Sequence, residues 1–261
     1  MPQGDVSFLG LALSLVLVAV AIALSLWQRL GLEGRIAWAS VRAIVQLLLV
    51  GSALTLVIDP ATPLFWSWLW IAGMTVFAGD VVRRRVREAQ GVFSLAVVAY
   101  LASAAITLTT LFGLGIFPLE GRTLVPLGGL MVGNSMNATV LAARRVIEEI
   151  RDKAHEVEAR LALGHPYPQA VRPYLAAALR TALIPQIETT KAVGFVFLPG
   201  AMTGLILAGV HPLDAVLVQA VVMFLVLGAA ATTTTVIGLG LIRRLFTPDH
   251  RLRPLPRPAH G

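Results

Sequence analysis

The stretch that decides the fold runs from Val132 to Thr203: VGNSMNATVLAARRVIEEIRDKAHEVEARLALGHPYPQAVRPYLAAALRTALIPQIETTKAVGFVFLPGAMT. Two apolar runs rich in small residues flank a charged segment from Arg144 to about Arg172. Inside that segment Ile147, Ile150, Ala154, Val157 and Leu161 keep a narrow apolar stripe at helical spacing. Arg144–Glu148, Arg145–Glu149, Glu149–Lys153 and Glu156–Arg160 are opposite charges one helical turn apart, a pattern that supports a solvated helix. Gly164 is placed to stop that helix, and Pro166 and Pro168 enforce a bend. A second helix is predicted to begin near Pro168 and to carry Tyr174–Leu183 back toward the apolar region. A helix–bend–helix this charged does not span a bilayer. It reads either as a solvated structural hairpin or as a docking element for a soluble partner.

Composition sets what surrounds the hairpin. Of 261 residues, 57% are hydrophobic and 13% charged, and the mean hydropathy is +0.80. A soluble domain of this length cannot hide that much apolar surface, so an all-α integral membrane protein is expected. The net charge of +7 does not point to nucleic acid, because the basic residues fall in the gaps between apolar runs, where they orient a chain against membrane lipid. The absence of cysteine excludes disulfides and thiolate metal sites. Side-chain capture of a metal would need the six Met, the five His or oxygen ligands.

Seven spans are predicted: Val6–Trp27, Ile36–Ile58, Leu64–Val82, Val92–Phe112, Leu124–Ala143, Ile184–Val210 and Leu213–Ile242. The first lacks the basic start and A-x-A exit of a cleaved signal peptide, so it is expected to be retained. In the second, Arg42 and Gln46 share a face; Arg42 either snorkels to headgroups or meets the hairpin helix. Trp66, Trp68 and Trp70 open the third as an interface belt. Ser103, Thr107, Thr109 and Thr110 in the fourth, and Thr232–Thr235 in the seventh, suit close helix packing. Basic residues concentrate after spans one, three and five and in the tail. That alternation predicts an outside amino terminus, an inside carboxy terminus and a cytoplasmic hairpin over 144–173. Residues 1–246 are then one transmembrane domain and 247–261 a disordered cytoplasmic tail.

Polar residues at bilayer depth are the site candidates. Gly133 loosens span five, and Asn134, Ser135 and Asn137 follow it with Met136 between them. Asn134 and Asn137 lie on one helix face. They serve either as interhelical hydrogen-bonding groups or as the lining of a polar cavity. Glu188 and Lys191 read as a local ion pair or as functional intramembrane charges. Pro199-Gly200, followed by Met202, interrupts span six and frees backbone carbonyls.

Several chemistries are missing. There is no Walker-type phosphate loop, no H-E-x-x-H helix, no G-x-S-x-G elbow and no Cys/His cluster. Neither an enzyme nor a resident cofactor is expected.

Glu158-Ala159-Arg160 followed by Gly164 resembles the E-A-A-x-x-x-G signature of ABC-transporter permeases, with Arg160 in place of the second Ala. GNSMNATVLAARR (Gly133–Arg145), LALG (Leu161–Gly164), KAVGFVFLPGAMTGLILAGVHPLDAVLVQAVVMF (Lys191–Phe224) and RRLF (Arg243–Phe246) resemble the FetB (YbbM) family of such permeases over nearly the whole chain. Bacterial members are associated with iron export and plant relatives with aluminium tolerance. The resemblance implies a homodimeric permease subunit of the cell (inner) membrane that recruits two copies of an ABC ATPase, with ATP-Mg held in that partner and iron or another metal as cargo. It implies ATPase coupling through Glu158, Ala159, Arg160, Ala162, Gly164 and Tyr167. The expected translocation path uses Asn134, Ser135, Met136, Asn137, Glu188, Lys191 and Met202, with hinges at Gly133, Pro199 and Gly200. The alternative is a secondary transporter or channel that works without an ATPase, through Glu188, Lys191 and the Asn cluster.

Overall fold

The computed structural model describes residues 8–194, 198–247, 249 and 251–253. These residues form helices α1 (Phe8–Trp27), α2 (Glu33–Val57), α3 (Leu64–Arg85), α4 (Val92–Gly113), α5 (Gly121–Asp152), α6 (Ala154–Ala162), α7 (Tyr167–Ala192), α8 (Gly200–Leu207) and α9 (Pro212–Leu245). Five of them, α2, α3, α4, α5 and α9, are long and apolar enough to cross a membrane. The protein is a multi-pass helical membrane protein.

The core is a bundle of α3, α4, α5, α7 and α9, with α5 and α9 at its centre. Leu124, Met131, Ala142, Val146 and Ile150 of α5, with Ala229, Ala230, Ile237 and Leu241 of α9, are sealed from the surface. Lipid is as apolar as Leu, so association here depends on van der Waals packing at close backbone approach. Small residues supply the approach. Gly240 leaves room that a Cβ would lose to Leu95 of α4, and Gly238 does the same for Leu175 and Leu179 of α7. The hydroxyls of Thr232 and Thr234 donate to the carbonyls of Gly228 and Ala230, both at 2.8 Å. This is the back-bonded packing role expected of them.

Two sets of contacts define the ends of the bundle. At one end the α3–α4 turn meets α5 and α9. Arg144 donates to the Arg85 carbonyl at 2.7 Å, Arg151 pairs with Glu88 at 2.7 Å, and Arg244 reaches the Gln90 carbonyl at 3.2 Å and Ser94 at 2.9 Å. At the other end Gly121, opening α5, lies against Ser67 of α3 and the Val57 carbonyl of α2. The basic loop after α3, the base of the charged hairpin and the end of α9 therefore share one end.

Several expectations need correction. The sixth predicted span, Ile184–Val210, is interrupted at Pro199-Gly200 as expected but not at Pro185. α7 runs unbroken through Pro173 and Pro185 to Ala192, and α8 opens separately after Pro199. Residues 195–197 of that predicted span lie outside the described residues. The charged helix also breaks at Lys153, which ends α5 and precedes α6. Its ion pairs close at i,i+3, Arg145–Glu148 at 3.1 Å and Lys153–Glu156 at 2.8 Å, in place of the expected i,i+4 set. Arg144 is drawn to the Arg85 carbonyl and Arg160 to the Tyr174 ring, 5.4 Å from its centroid. After α9 the Thr247 N–H donates to the Arg251 carbonyl at 2.9 Å, and the Arg253 N–H to that of Leu245 at 2.8 Å. Arg42 does not reach the hairpin. α2 packs chiefly on α1 and buries none of its residues.

Candidate functional site

The hairpin is held by a short chain of side chains. Val157 is fully buried beneath α6. The Tyr174 hydroxyl of α7 donates to Glu156 Oε2 at 2.8 Å, and Lys153 pairs with the other oxygen. The Lys153 and Tyr174 hydrogen bonds hold the Glu156 carboxyl below its ordinary range. Burial and the bond to Glu156 raise the Tyr174 phenol. At the bend the Gly164 N–H donates to the Leu161 carbonyl and the His165 N–H to that of Arg160, at 2.9 and 3.1 Å. This paired closure is a Schellman cap. It needs the left-handed φ of +88° that Gly164 adopts. Beyond the bend, the Tyr167 ring stacks on Phe246 at 5.2 Å and 11°, which ties the hairpin to the end of α9.

The residues expected to couple to a partner fall into two groups. Glu158, Ala159, Arg160, Ala162 and Gly164 are exposed around the α6 tip. Leu163, which sequence reasoning did not single out, is 80% exposed beside them. Tyr167 is half-buried and turned inward on Phe246.

A second feature lies in the bundle. A cavity of about 540 Å³ separates α5 from α7, α8 and α9. Asn134, Asn137 and Gly133 reach it from α5, Gln186 and Thr189 from α7, Pro199 and Gly200 from the start of α8, and Gln219 from α9. Asn134 Nδ2 donates to the Leu130 carbonyl at 2.8 Å, and Asn137 Oδ1 accepts from Arg85 Nη1 at 3.2 Å. The polar residues of span five and the Pro-Gly break thus meet at one cavity.

Other expected path residues do not line it. Ser135 is fully buried and donates to the Met131 carbonyl at 2.6 Å. Met136 faces a different space, an apolar cavity of about 930 Å³ between α2, α3 and α5. Met202 is half-buried on α8 and lines neither cavity. Glu188 and Lys191 pair with each other at 2.8 Å on an exposed face of α7. Gly133 sits inside unbroken α5, whereas Pro199 and Gly200 mark a real break in the helix path.

Gln219, Gln186 and Thr189 are the residues sequence reasoning missed. A lone amide seven positions into an apolar helix was the available signal for Gln219. Among the described residues no group of three His, Cys, Asp or Glu could hold a metal ion.

Comparison with known proteins follows the same extent. The chain is 32% identical over 248 residues to the UPF0014 membrane protein YjkA of Bacillus subtilis, covering 95% of this chain and 99% of that one. It is 34% identical over 211 residues to Protein ALUMINUM SENSITIVE 3 of Arabidopsis thaliana, covering 81% and 77%. It is 32% identical over 227 residues to the Probable iron export permease protein FetB of Escherichia coli, covering 86% of each. No solved structure matches. The model of the Uncharacterised protein family (UPF0014) matches residues 8–246, which takes in the bundle, the hairpin and Phe246 alike, and the chain belongs to that family.

Proposed function

We propose that this chain is the membrane-spanning permease subunit of an ABC transporter of the cell membrane, driven by a separate ATPase and exporting iron or another metal. One observation carries the reading. A capped, exposed hairpin follows α5, the helix that lines the polar cavity, after one break at Lys153. A push on the α6 tip would therefore be delivered to the cavity wall, and the break before α8 offers the opposite wall room to move. In this reading the chain works as a homodimer with two ATPase copies, each binding ATP-Mg, and the hairpin end of the bundle faces the cytoplasm. The FetB relative is a probable iron export permease by name, which supplies the cargo class.

The test is reconstitution with the ATPase in proteoliposomes. Glu158→Lys and Leu163→Asp alter exposed side chains at the tip and are expected to leave thermal stability within about 2 °C of wild type, since exposed substitutions cost little. Both are expected to weaken ATPase binding by about ten-fold or more, as central interface residues do, and to abolish ATP-driven flux. Wild-type binding and flux in both variants would defeat the coupling role.

A further inference from the structure

The cavity between α5, α7, α8 and α9 carries information about cargo chemistry that the hairpin does not. Gln219 is 3% exposed, lines this cavity, and its Oε1 has no hydrogen-bond partner. A buried amide oxygen left unpaired is costly, and on a residue that lines a cavity it is an acceptor that a rotation of the amide would turn toward the cavity's contents. Asn134 spends its Nδ2 on the Leu130 carbonyl. Asn134 on α5 and Gln219 on α9 thus both line the cavity with amide oxygens that no described hydrogen bond uses.

Charge restricts the donor further. Among the described residues no Asp, Glu, Lys, Arg or His lines the cavity. The charged group at its edge is the Arg85 guanidinium, 3.2 Å from Asn137 Oδ1. A free cation inside a helical bundle at membrane depth needs a counter-charge, and here the neighbouring charge has the same sign. Size agrees: about 540 Å³ corresponds to roughly eighteen waters at about 30 Å³ each, far more than one ion fills.

We propose that this cavity takes its cargo as an electroneutral or anionic complex bearing O–H donors, anchored on Gln219 and Asn134, and not as a free metal cation. The inference rests on the permease reading for its metal. A hydroxycarboxylate chelate meets each requirement: carboxylates neutralise the metal, an O–H of hydroxyl or metal-bound water donates to Gln219, and residual negative charge faces Arg85.

The test is isothermal titration of the full chain in lipid nanodiscs with ferric citrate, with trisodium citrate and with manganese(II) chloride. Wild type is expected to bind ferric citrate saturably and manganese(II) at least ten-fold more weakly. Gln219→Leu is expected to weaken ferric citrate about ten-fold, and Gln219→Glu, which supplies the missing counter-charge, to shift preference toward manganese(II). Asn134→Leu is expected to weaken ferric citrate as well, and it decides the matter should Gln219→Leu fail to fold. Manganese(II) binding as tightly as ferric citrate, unchanged affinity in the folded Leu variants, or no binding of any probe overturns the proposal. The first of these leaves metal export standing. Metal-free citrate binding as tightly as ferric citrate supports the cavity chemistry and counts against metal as the cargo.

Discussion

Gly91 shows how one backbone conformation and one side chain can share a position. Its φ of +72° caps the start of α4, and a Cβ there would strike the Arg244 guanidinium. Gly91→Ala must therefore bear left-handed strain of about 1–2 kcal/mol and also displace Arg244 from Gln90 and Ser94. Gly31 has a similar φ of +67° with nothing within 4 Å, so Gly31→Ala carries the strain alone. Thermal unfolding in detergent is expected to show a larger loss for Gly91→Ala than for Gly31→Ala; equal losses would mean that Arg244 is no constraint. Glu156 sets a pH window. Its folded carboxyl lies below the ordinary value of 4.5, so its contribution is present above about pH 4.5 and is lost as pH falls through the lowered value. Tyr174 and Lys153 are raised above 10.0 and 10.5, so theirs is lost as pH climbs beyond about 10. Protection factors over 154–174, with exchange taken relative to the intrinsic rate at each pH, are expected to be high between these limits and low outside both. Protection that stays flat down to about pH 3 would exclude the Lys153–Glu156–Tyr174 chain as the hairpin's fastening.

At the scale of elements, the join between the hairpin and α9 is the least expected contact. Tyr167 and Phe246 are far apart in sequence, yet they stack nearly parallel, and the chain after Phe246 turns back so that Leu252 pairs with it. An aromatic pair of this kind adds about 0.5–1.5 kcal/mol beyond buried area. A double-mutant cycle with Tyr167→Ala and Phe246→Ala is expected to return a coupling in that range from unfolding measurements. A coupling near zero would show that the stack contributes nothing. In the proposed mechanism the same join would pass hairpin motion to α9, on which Gln219 sits. α7 teaches a different lesson. Pro173 and Pro185 both lie inside it, and it still runs 26 residues, because neighbouring helices hold the path that proline alone would bend.

At the level of the whole molecule, α2 packs little on the bundle. α2 buries none of its residues and leaves an apolar cavity of about 930 Å³ against α3 and α5. Arg42, exposed on α2, has no hydrogen-bond or ion-pair partner among the described residues. An arginine on a spanning helix calls for headgroups or a second protein surface. The proposed homodimer would supply the latter through α2. The chain has no cysteine, so single substitutions report cleanly. Leu47→Cys, Leu48→Cys and Leu49→Cys sweep the exposed arc of α2, and Phe224→Cys on α9 serves as the control. Oxidative cross-linking in native membranes is expected to trap a dimer from at least one α2 position and none from Phe224→Cys. Failure at all three would exclude α2 as the contact between copies.

The helical membrane architecture was legible in the residues themselves. Hydropathy over bilayer-length runs located α2, α3, α4, α5 and α9, and Gly164 with its flanking prolines located the bend. These are local properties: a span is an apolar length, and a left-handed cap is a matter of one residue's sterics. Asn134, Asn137, Pro199 and Gly200 were also visible as polar or broken points at depth, because such residues are conspicuous in an apolar run. What no local pattern contained was which of them meet. Ser135 and Asn134 are adjacent, yet one is sealed against its own helix and the other lines a cavity, since neighbouring residues on a helix point about 100° apart. Gln219, Arg85 and Phe246 acquire their roles only from partners on other helices. Tertiary packing alone decided those pairings, because it brings distant positions to one wall and leaves an amide oxygen there without a donor.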